Sequence, residues 1–211
     1  GASAAARGAA LVRDKRFTAL VTRLRGKLGE LDHPRLVMRT LWALGKLGAS
    51  SSDAQAIPGD IVEVAKPMLK FFTSMELSNS LWGLARLGKV EAEQASGRRA
   101  QLVAAIVREG TKRVSTFGAQ CLSNSLWAVA RLELSDAASY DFSVACVAQI
   151  RQNRFRETTP QGFANSLWAV AKLRLDPSVA APFCIEAARY AAADPRELSC
   201  FIPQELSMTL W

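Results

Sequence analysis

The stretch TPQGFANSLWAVAKL, residues 159–173, recurs along the chain with its tryptophan as a fixed mark. HPRLVMRTLWALGKL, TSMELSNSLWGLARL, GAQCLSNSLWAVARL and IPQELSMTLW are the other copies. They align on Trp42, Trp82, Trp127, Trp168 and Trp211, separated by 40, 45, 41 and 43 residues. A period in this range marks a repeat architecture. Leu always precedes the Trp, and Ser or Thr stands two residues before it. Three before is Asn79, Asn124 or Asn165 in the middle copies, but Arg39 and Met208 in the outer ones. Four after is Lys46, Arg86, Arg131 or Lys172, and five after is Leu.

Each motif reads as a helix. Eight residues before the Trp stands Pro34, Ser74, Ala119, Pro160 or Pro203. Proline suits a first helical position, where its missing N–H costs nothing. Thr73 with Glu76 has capping-box spacing, and Thr159 is a natural N-cap. Leu122, Leu126, Val129 and Leu132 share one face at helical periodicity, and the Trp falls on its border beside small residues. Core packing between successive helices is the expected use of the indoles; stacking on unpaired bases is the other.

A less regular second helix follows each motif, expected over 57–72, 100–113, 137–153 and 179–192. The unit is therefore helix–turn–helix, and stacking of neighbours must supply its core. The fold class expected is an all-α α-solenoid of repeats of 40–45 residues. Residues 32–211 form the array, four repeats plus the start of a fifth. Trp211 falls mid-motif, which implies a processed or partial segment of a longer protein. Residues 1–31 form a basic N-terminal helix or partial repeat, helical from about residue 9 to 28 by the spacing of Leu11, Phe17, Leu20, Val21, Leu24 and Leu28. Their Ala, Arg and Ser content also fits an organellar transit peptide.

The chain has 211 residues and a net charge of +8, which favours an acidic partner, nucleic acid first. Apolar residues are too dispersed for a membrane span. One histidine, His33, leaves little room for a histidine-based catalytic or metal site. Cys121, Cys146, Cys184 and Cys200 lack zinc-ligand spacing and read as buried free thiols. There is no phosphate-binding glycine loop or nucleophile elbow, and Asp60 with Glu63, and Glu91 with Glu93, read as solvated surface. No catalytic residue, cofactor or metal is expected.

Two sets of residues are candidates for binding RNA. Arg25, Lys27, Lys70, Lys112, Arg113, Arg151, Arg154, Arg156 and Arg196 lie 12–17 positions before a Trp, near the end of each second helix. Stacked repeats would align them as a positive stripe suited to regularly spaced phosphates. Capping of helix C-termini by cations is the alternative. The second set is a polar wedge on the motif helix: Gln120, Asn124 and Arg131 in one copy, Gln161, Asn165 and Lys172 in the next. An amide beside a cation can read a base edge and a phosphate together. A ladder of Asn side chains bridging neighbouring repeats is the alternative.

FTSMELSNSLWGLARL (72–87) and TPQGFANSLWAVAKL (159–173) resemble the octotricopeptide-type helical repeats, and the related repeats upstream of RAP domains, in organellar proteins. The resemblance extends from Asp32 onward. It implies an α-solenoid that binds single-stranded or ribosomal RNA in a mitochondrion or plastid. The implied roles are transcript processing, stability or translation, or a structural rRNA-holding place among the subunits of an organellar ribosome. An armadillo-like peptide-binding scaffold is the remaining alternative; it has a similar period and also uses helix-borne Trp and Asn.

Overall fold

A computed structural model describes residues 10, 12–48, 51–88, 97–193 and 200–210. The described residues are helical with no strand. They divide into two compact units, residues 1–109 and 110–211. Among the described residues, no helix is long and apolar enough to cross a membrane.

The first unit holds α1 (Lys15–Arg25), α2 (Pro34–Leu47), α3 (Ser52–Asp60), α4 (Val62–Met68) and α5 (Ser74–Arg86). α6 (Arg98–Lys112) follows, and the division between the units falls within it. The motif helices α2 and α5 pack on each other, and α1 packs on α3. α1 is shorter than the spacing of its leucines implies. Asp14 caps it by accepting from the Arg16 N–H, and the helix buries Phe17 and Val21 but leaves Leu20 62% exposed. The single helix expected over 57–72 begins earlier, at the Ser51 cap, and breaks at Ile61. Pro58 and Pro67 each remove a helix N–H and crowd the preceding turn.

The second unit holds α7 (Ala119–Leu132), α8 (Ala137–Gln152), α9 (Pro160–Leu173), α10 (Pro177–Ala193) and α11 (Pro203–Leu210). α7 packs on α9, α9 on α11, and α8 on α10. The expected second helices over 137–153 and 179–192 match α8 and α10 closely. α11 is the helix of the fifth motif copy, of which Trp211 lies outside the described residues.

Within each unit, then, motif helix packs on motif helix. The contact runs through small residues. Gly45 and Gly83 bring α2 and α5 together: a Cβ on Gly83 would clash with the Leu41 carbonyl. Ser78, Ser80, Ser123, Ser125 and Ser166 are buried, as are Ala128, Ala130 and Ala169. The capping expected from sequence is present. Thr73 and Glu76 form a reciprocal capping box, and Thr159 accepts from the Gly162 N–H at 3.1 Å. His33 caps α2, its Nδ1 accepting from the Arg35 N–H at 3.1 Å. The residue six after each of the first four Trp takes a left-handed conformation: Gly48, Gly88, Glu133 and Arg174.

Candidate nucleic-acid interface

The indoles sit on the edge of the core rather than inside it. Trp42 is 40% exposed, and Trp82, Trp127 and Trp168 are half-buried. The small residues beside each Trp let the backbones close, which leaves too little depth between helices for an indole. In the first unit Trp42 and Trp82 meet ring to ring, with centroids 6.4 Å apart and planes tilted by 31°. Each ring carries the cation from one turn later. The Lys46 ammonium is 5.9 Å from the Trp42 ring centre, and the Arg86 guanidinium is 5.7 Å from that of Trp82. Such contacts are worth about 0.5–1 kcal/mol at exposed sites. Packing between successive helices and a solvent-facing ring are thus properties of the same indoles.

The Asn ladder is not formed. Asn79, Asn124 and Asn165 are half-buried, and no side-chain amide among them has a hydrogen-bond partner within the chain. An Asn side chain offers two donors and two acceptor lone pairs, all left for solvent or a ligand. In the second unit, α7 lies against α9 and so brings two wedges onto adjacent helices. Gln120 and Gln161 are exposed. Arg131 is exposed and has no ion-pair partner. Lys172 reaches back across the helix pair to Glu133 at 3.1 Å. Lys46, Arg86 and Asn79 belong to the same surface in the first unit, although they were not among the sequence candidates. The repeat register is the signal that identifies them.

The basic helix ends do not all serve as a free stripe. Arg25 Nε donates to Asp60 at 2.5 Å and its Nη1 to Asp53 at 3.0 Å. Asp60 is thus an ion-pair partner, not idle surface. Arg151 makes a two-pronged contact with Glu186, at 3.1 and 2.6 Å. Lys66 donates to Gln101 at 3.1 Å. Asp60, Gln101 and Glu186 each lie 35 residues beyond the cation they meet, and Asp53 lies 28 beyond Arg25. A cation on one second helix therefore meets a polar group on the next, a pairing invisible until the helices are stacked. Lys27 pairs locally with Glu30, and Lys70 stands 4.9 Å from the Phe71 ring centre. Lys112 and Arg113 are both engaged within the chain. Arg154 and Arg156 remain exposed with no ion pair. Arg196 lies outside the described residues.

The pairings show in the acidities. Hydrogen bonding from Arg151 holds the Glu186 carboxyl below its ordinary range. Hydrogen bonds from Thr22 and then Arg25 do the same for Asp53. The thiols differ from expectation: Cys146 is buried and its pKa is pushed far up by desolvation, Cys121 is half-buried, and Cys184 and Cys200 are exposed. Among the described residues no three His, Cys, Asp or Glu side chains gather as a metal site.

Compared with known proteins, the chain matches no family model, no curated protein and no solved structure.

Proposed function

We propose that this chain is a non-catalytic RNA-binding protein built as an α-solenoid and acting in organellar gene expression. One observation carries the reading. Motif helices pack side by side within each unit, so a Trp at the core edge and a cation recur on adjacent helices, joined in the second unit by the unpartnered Asn124 and Asn165. Amides suit base edges, indole faces suit unpaired bases, and cations suit phosphates. The placement in a mitochondrion or plastid rests on the resemblance of the motif to the octotricopeptide-type repeats.

Titration of a fluorescently labelled single-stranded RNA with the purified chain tests this. Binding is expected at 50 mM salt, weakening by on the order of tenfold or more at 200 mM as counterion release loses its drive. Asn124→Ala with Asn165→Ala is expected to weaken it further without unfolding the chain. Absence of salt-dependent binding refutes the proposal. Binding only as part of a ribosome, seen by co-sedimentation, would instead make the chain a structural subunit.

A further inference from the structure

The turn between α8 and α9 carries two exposed arginines, Arg154 and Arg156, neither of which has an ion pair. Its backbone is unusual: Arg154, Phe155 and Glu157 have φ of 50°, 57° and 59°. Non-glycine residues hold such angles only where their surroundings compensate. The compensation here is Phe155, which is 2% exposed. Its ring packs on Phe163, Phe183 and Tyr190 with centroids 5.6, 5.3 and 5.6 Å away. An aromatic anchor thus holds the turn and fixes where its arginines emerge.

Two clefts open beside this turn, and Arg154 lines both. One, of about 470 Å³, is polar, with Gln152, Asn153, Arg154, Arg156 and the exposed carboxylate of Glu157 in its wall, two guanidinium groups against one carboxylate. The other, of about 460 Å³, is lined by Phe155, Tyr190, Arg151, Arg189 and Glu186 as well as Arg154. Both fall in the size range of small-ligand pockets. The charge on Arg151 is answered by Glu186, so in the second cleft that pair forms a neutral wall beside the half-buried Tyr190 ring.

We infer that this turn is a two-part subsite for single-stranded RNA, taking a backbone phosphate between Arg154 and Arg156 and an adjoining base against Tyr190. The inference rests on the RNA-binding reading and adds to it a second contact point, away from the motif-helix residues. Phosphate suits two unpaired guanidinium groups, which offer forked donors. A base suits an aromatic face bordered by arginines. The anchored turn reduces the ordering cost of binding.

The test compares the parent chain and three variants with the same labelled RNA across a salt series. Arg154→Gln with Arg156→Gln is expected to lower affinity on the order of tenfold and to flatten the salt dependence by about one phosphate, a slope change of roughly 0.7. Tyr190→Phe is expected to bind as the parent does. A 4-thiouridine RNA is expected to crosslink to the peptide containing Tyr190. Unchanged affinity and slope in the double arginine variant, with binding still lost in the Asn124→Ala, Asn165→Ala variant, overturn this subsite and leave the RNA reading standing. No binding by the parent chain at 50 mM salt overturns both. A crosslink mapping only to the motif helices overturns the base half of the subsite.

Discussion

The two units use one motif with different small residues at its contacts. In the first, Gly45 and Gly83 stand where the second has Ala130 and Ala169. The first therefore brings backbone against backbone: a Cβ on Gly45 would lie 2.8 Å from the Gly83 Cα. The second keeps its methyl groups, all buried, so the corresponding helices meet through side chains. The helix ends differ in the same sense. The left-handed position after each motif is Gly48 and Gly88 in the first unit but Glu133 and Arg174 in the second. One helical repeat can thus be closed either by glycine, which removes steric cost, or by larger residues whose strain other contacts offset.

This difference makes its strongest forecast at Gly83. Gly83→Ala places a methyl against the Leu41 carbonyl and the Trp42 N–H, backbone atoms that cannot swing aside. A loss of about 2–3 kcal/mol is expected, typical of overpacking, read by urea denaturation. If Gly83→Ala proves neutral, the close approach of α2 and α5 is wrong. The next effect has the opposite sign. Arg174 sits at φ 50° with its side chain exposed. Arg174→Gly is expected to stabilise the chain by about 1 kcal/mol, whereas Gly48→Ala should destabilise it by a similar amount. Equal signs for the two would remove the parallel between the helix ends.

The smallest effect concerns acid. Glu186 in the second unit and Asp53 in the first have carboxyl groups held below their ordinary range. A depressed carboxylate contributes stability above its unfolded pKa, about 4, and loses it as pH falls through the lower folded value. Both units should therefore weaken below about pH 4. Arg151→Met should reduce the acid-dependent loss, as followed by thermal melts between neutral and acid pH. An unchanged pH profile would show that the Arg151–Glu186 contact adds nothing. Exposure limits its size, because solvent screens such pairs.

Much of the fold was legible from the motif. Proline at the first helical position, the Thr73 and Thr159 caps and the helical periodicity are local properties, and local geometry satisfies them without reference to distant residues. The second helices depart from the sequence pattern where proline intervenes, as at Pro58 and Pro67, because an apolar run conceals a backbone break. The spacing that includes Leu20 marks a helix, yet Leu20 is exposed, because which face is covered depends on what packs there. The same limit applied to the indoles: the sequence placed them on the border of the face, but only the close helix approach shows that this border is exposed.

The candidate interface divides in the same way. The residue types at each repeat position, including Asn124, Asn165 and the cations one turn past each Trp, are set out by the sequence register. Which cations are available is a different matter. Arg25 and Arg151 look equivalent to Arg154 and Arg156 in the sequence, but carboxylates from helices far along the chain engage the first two. The repeat, its helical character and its polar wedge follow from the sequence by itself, since period and local hydrogen bonding are encoded within a few turns of chain. The exposure of the tryptophans, the missing partners of the Asn amides and the division of the arginines into paired and open were decided by tertiary structure. Burial and ion pairing depend on distances between segments that no local pattern specifies.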